Sequence, residues 1–107
     1  MSYIENGIAM FNNSARRTFI EYAQSYREKD ANYLHGTTLL KNRVLNGLVE
    51  MMMNDLKTEM NRVLQEHRTM APDEYSTLKL RLSLYYDDYI SRFRNLELDI
   101  DNHHPNL

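Results

Sequence analysis

Cysteine is absent from this 107-residue chain, which excludes disulfides, thiolate metal centres and cysteine nucleophiles. Breakers are scarce as well. Gly7, Gly36, Gly47, Pro72 and Pro105 are the full set, too few for an all-β fold that needs a turn every ten residues or so. No stretch approaches the run of about 18 uncharged apolar residues that a membrane span requires. The N-terminal MSYIENGIAM lacks a basic region followed by a sustained apolar run, so no leader is expected, and the expected location is the cytoplasm. An excess of positive charge is missing too: 13 Lys and Arg stand against 15 Asp and Glu, for a net charge of −2. Without a basic footprint to neutralise phosphates, nucleic-acid binding is a weak expectation, reserved for a subunit of a larger complex.

What is present is helical pattern. Hydrophobic content of 42% and charged content of 26% suit a globular chain, and the length suits one domain. In the first segment Ile4, Ile8, Phe11, Ala15, Phe19, Tyr22 and Tyr26 recur at alternating spacings of three and four, one seam of a helix. Gly36 marks a stop, and Thr37 or Thr38 can cap the start of a second helix. The second segment repeats the pattern at Leu45, Val49, Met52, Leu56, Met60, Val63 and His67. It adds a second stripe, Leu40, Val44, Leu48 and Met51, about 100° around the helix. Ala71-Pro72-Asp73-Glu74 then restarts the chain, with proline at the first helical position and two acids in the first turn. The third seam runs Tyr75, Leu78, Leu82, Tyr85, Tyr89, Phe93, Leu96 and Ile100.

These seams predict an all-α, elongated, antiparallel three-helix bundle, with helices at about 3–34, 38–69 and 72–101 and a flexible tail at 102–107. Residues 1–101 form the expected single helical domain. Dimerisation through the second and third helices is a further expectation, because both carry more apolar surface than one core needs.

Catalytic and metal patterns are weak. Neither Glu-x-x-His nor His-Glu-x-x-His occurs, and adjacent Glu66 and His67 point about 100° apart on a helix. Glu97, Asp99, Asp101, His103 and His104 bring oxygen and nitrogen ligands together, yet they lack the glycine and closing glutamate of a calcium loop. The serines sit in no strained elbow beside a His and an Asp. No cofactor and no enzymatic activity is expected.

A partner is the stronger expectation. Six of the eight tyrosines lie on or beside the seams, where a phenol can bury its ring and keep its hydroxyl near a partner. Met51, Met52 and Met53 cover about 200° of one helix, too wide an arc for a single core, and flexible thioethers suit adaptable surfaces. On the third helix Leu80, Leu84 and Leu98 project about 160° from the seam, a back stripe with no core to fill. The contact is therefore expected at Met53, Leu80, Leu84 and Tyr86, on a non-enzymatic interaction module: an adaptor, chaperone, inhibitor or assembly subunit. The alternative is a helical metal- or ligand-binding protein with a site near His67 or the acidic end of the third helix.

Overall fold

The structure, a computed structural model, describes residues 2–33 and 38–100, with 31–33 described by their backbone alone. Three helices are arranged in the order α1 (Tyr3–Tyr33), α2 (Thr38–Glu66) and α3 (Pro72–Arg94). Each packs against both others, and the molecule extends 53 × 24 × 17 Å. No helix among the described residues is long and apolar enough to cross a membrane.

Local chemistry sets the helix ends. Ser2 caps α1, its Oγ accepting the Glu5 backbone N–H at 3.2 Å, so one of the free donors of the first turn finds a partner. Pro72 opens α3, and Asp73 and Glu74 occupy the first turn as the sequence predicts. The residue before a proline is pushed into extended backbone, and Ala71 adopts φ −56°, ψ 143°. α2 also ends earlier than its sequence pattern predicts. The helix stops at Glu66 and not at 69, and the chain turns through His67, whose carbonyl accepts the Met70 N–H at 3.1 Å.

The end of α3 departs further from the sequence expectation. The helix stops at Arg94, seven residues short of 101. Leu96 N–H donates to the Phe93 carbonyl at 3.0 Å and Glu97 N–H to the Arg92 carbonyl at 2.9 Å, the paired bonds of a Schellman cap. Such a cap needs one left-handed residue, and Leu96 supplies it at φ 57°, half exposed. Glycine is the usual occupant because a β-carbon there is strained by about 1–2 kcal/mol. Leu96→Gly is therefore expected to stabilise the fold by about 1 kcal/mol, read as a higher denaturation midpoint; a lower midpoint would show that the leucine's own packing outweighs the strain.

Because the helix ends there, Leu98 and Ile100 belong to no helical stripe. The chain instead turns back over α1: Arg16 Nε donates to the Ile100 carbonyl at 3.3 Å, and Arg27 pairs with Asp99 at 2.6 Å. Leu98 and Ile100 are both buried in this strap. Leu98 therefore leaves the expected back stripe and joins the core, while Leu96, expected on the inner seam, faces solvent. The expected tail at 102–107 and residue 101 lie outside the described residues.

Along the rest of the bundle the expected seams face inward. Ile8, Phe11, Ala15, Phe19 and Tyr26 of α1 meet Val49, Met52, Leu56 and Val63 of α2 and Leu78, Leu82, Tyr85, Tyr89 and Phe93 of α3 in one core. Its middle is aromatic. Phe19 stands edge-on to Phe93 with ring centroids 5.5 Å apart, and Tyr89 lies between Phe19 and Phe11 at 6.0 and 6.3 Å. The Tyr89 hydroxyl escapes the apolar centre by donating to Asn12 Oδ1 at 3.1 Å. Near the other end of α1, Gly7 admits close contact with α3: a β-carbon there would sit 2.9 Å from Leu78 Cδ1. An ion pair between Lys41 and Asp30, at 3.4 Å, ties the start of α2 to the end of α1.

Candidate interaction surfaces

The outward face of α3 is set by the inward one. With Leu78, Leu82, Tyr85, Tyr89 and Phe93 turned to the core, the helical period of about 100° per residue sends Leu80 and Leu84 outward. They are 62% and 52% exposed, one turn apart. No side chain of α1 or α2 covers them to the extent a core position requires. Along the same helix Ser83 Oγ donates to the Lys79 carbonyl at 3.0 Å and Arg92 pairs with Asp88 at 2.8 Å.

The other two expected contact residues lie along the α2–α3 seam. Tyr86 is 8% exposed, and the Lys57 ammonium sits over its ring at 6.0 Å from the centroid. Its hydroxyl is buried without a hydrogen-bond partner among the described residues, and burial pushes the phenol above its ordinary range, with Asp87 adding to the rise and Arg94 opposing it. Met53 is half-buried against the core, its Sδ 3.9 Å from Arg94 Nη2. Leu80 and Leu84 thus offer open apolar surface, whereas Tyr86 and Met53 offer little more than edges. Sequence periodicity could not separate these cases, because Tyr86 sits about 55° from the middle of the core seam, where a neighbouring helix decides its burial.

A second apolar surface covers the N-terminal half of α2. Leu39, Leu40 and Met51 are 64%, 46% and 55% exposed, with Val44 partly covered between them. Here the second stripe of α2 divides: Leu48 enters the core, while Leu40 and Met51 stay outside. Leu39 had no stripe to mark it. A shallow groove of about 240 Å³ runs over Val44, Gly47, Leu48 and Met51 between Lys29 and Arg43. It continues into a recess of about 320 Å³ that reaches Glu21, Tyr22, Ser25 and Asp55.

Tyr22 donates its hydroxyl proton to Asp55 Oδ2 at 2.5 Å across the α1–α2 seam. Burial raises this phenol first, and the hydrogen bond to the carboxylate and the charges of Asp55 and Glu21 raise it further, to about 12. Burial likewise raises Tyr89 well beyond the ordinary phenol range. These folded-state values lie above the unfolded value near 10, so the tyrosines contribute stability that is complete below about pH 10 and lost as pH climbs through the folded values. Urea denaturation from pH 8 to 12 is expected to show stability falling steeply above about pH 10, and Tyr22→Phe with Tyr89→Phe is expected to flatten that fall. An unchanged slope in the double variant would place the titration elsewhere.

His67, the candidate ligand residue, is buried where α2 gives way to the turn. Its Nδ1–H donates to the Val63 carbonyl at 2.8 Å, a bond that ties the ring to the last turn of its own helix. Beside it a recess of about 400 Å³ is lined by Tyr3, Asn6, Met10, Glu66, Thr69 and Met70. Among the described residues no three His, Asp or Glu side chains are placed to hold a metal. Of the C-terminal cluster, Asp99 is engaged by Arg27, and Asp101, His103 and His104 lie outside the described residues. Two nearby guanidinium groups are also engaged, Arg16 with the Ile100 carbonyl and Arg92 with Asp88.

The fold defines an all-α three-helix bundle with apolar side chains on two outward faces. Comparison of the chain with protein families, with curated proteins and with solved structures finds no match.

Proposed function

We propose that this chain is a non-enzymatic protein–protein interaction module of the cytoplasm, an adaptor, chaperone, inhibitor or assembly subunit that presents α3 to a protein partner. The observation that carries this reading is the exposure of Leu80 and Leu84 on a helix whose opposite face already fills the core. Covering a leucine side chain contributes roughly 1.5–3 kcal/mol, so a pair one turn apart forms the centre of a contact. Tyr86 and Met53, which lie in the α2–α3 seam on another side of α3, are further contact residues in this reading.

Replacing Leu80 and Leu84 together with Glu tests the proposal. Both positions are open, so the circular dichroism spectrum and denaturation midpoint should stay near wild type while capture of the native partner is lost. A variant that still captures the same partner would place the contact elsewhere, and one that unfolds would return the two leucines to the core. The recess beside His67 supports a second reading, a small-ligand site. Its test is a ligand screen by thermal shift, in which a stabilising compound should lose its effect in Met70→Ala.

A further inference from the structure

Gly47 lies inside the N-terminal half of α2 with nothing among the described residues within 4 Å of where its β-carbon would stand. A glycine inside a helix weakens it, and here no close approach among the described residues explains its presence, in contrast to Gly7 against Leu78. The surroundings of Gly47 are asymmetric. At about 100° per residue, Val44, Leu40 and Met51 fall on one flank of it and Arg43 and Glu50 on the other, and Val44, Met51 and Arg43 line the shallow groove with it. Arg43 and Glu50 are both exposed and take part in none of the ion pairs among the described residues.

We propose that a second copy of this chain docks antiparallel on the N-terminal half of α2, with the two-fold axis passing at Gly47 and Arg43 of each copy set against Glu50 of the other. The choice of occupant rests on symmetry and charge. An antiparallel two-fold at Gly47 brings like flanks together and reverses the axis. Arg43 lies about 6 Å before Gly47 and Glu50 about 4.5 Å after it, so the axis places opposite charges side by side twice. On the other flank the same operation sets Val44 against Met51 of the second copy. A parallel pairing would instead turn each charged flank onto the apolar one. The missing β-carbon lets the two backbones approach closely at the crossing. The patch spans about a dozen residues of one helix, below the area of a permanent dimer, so the association is weak and reversible.

Such a dimer deepens the interaction reading by naming the occupant of one surface, and it makes no use of Leu80 or Leu84. Sedimentation equilibrium of the full chain from about 1 µM to about 1 mM is expected to show mass rising from monomer to dimer. Arg43→Glu and Glu50→Arg, each alone, set like charges together at both ends of the contact and should raise the dissociation constant about tenfold or more. The double variant Arg43→Glu/Glu50→Arg restores the pairing and should return it to near wild type. Gly47→Ala should raise the monomer's denaturation midpoint while weakening association, an opposition that a purely structural role would not produce. A wild type that stays monomeric throughout, single reversals without effect, or a double variant that fails to recover would each overturn the proposal. Monomeric behaviour with partner capture that still depends on Leu80 and Leu84 would overturn it and leave the proposed function standing. Charge-swap dimerisation without such capture would do the reverse.

Discussion

Phe19→Ala is expected to lower the stability of the fold by about 3–5 kcal/mol, the range for emptying a buried aromatic site. Phe19 is fully buried at the midpoint of α1 and touches two other rings, edge-on to Phe93 and tilted against Tyr89. Truncation removes the apolar transfer energy of the ring, both aromatic contacts, and the support that keeps the Tyr89 hydroxyl aimed at Asn12. A domain of this size holds only about 5–15 kcal/mol in total, so the variant would sit near the edge of folding at room temperature. Chemical denaturation followed by circular dichroism measures the change, and Phe19→Leu, which refills most of the volume, should recover more than half of it. A loss below about 1 kcal/mol would mean that the three rings do not share one core.

Leu56→Ala and Leu82→Ala are each expected to cost about 2–5 kcal/mol. Both side chains are fully buried, one on α2 and one on α3, so each deletion opens a cavity at a helix contact. Leu80→Ala supplies the internal control: the same substitution, on the same helix, two residues from Leu82 and largely exposed, should stay within about 0.5 kcal/mol of wild type. Equal losses at 80 and 82 would show that α3 is rotated from the orientation described. The contrast also bears on function, since it leaves Leu80 available to a partner.

Helix number, helix type and most of the inner faces were legible in the residues because a three-and-four spacing is a property of one helix and needs no neighbour to express it. The restart at Pro72 was legible for the same reason, proline acting on its own backbone and that of the residue before it. Outward placement of Leu80 and Leu84 came from the third seam by subtraction. Tertiary structure alone decided where α3 stops. The periodic pattern continued through Leu96 and Ile100, yet the chain breaks at a left-handed leucine, which propensity disfavours, and turns Leu98 and Ile100 onto α1 through contacts with residues about 70–85 positions away. It also decided the fate of residues on the shoulders of a helix, where burial depends on which neighbour lies beside them: Tyr86 went under Lys57, Leu48 into the core, and Leu40 and Met51 stayed out. Pattern within a helix specifies which direction is inward; the width of the covered arc is set by the neighbouring helices and by the strap, and those are long-range contacts that no local spacing encodes.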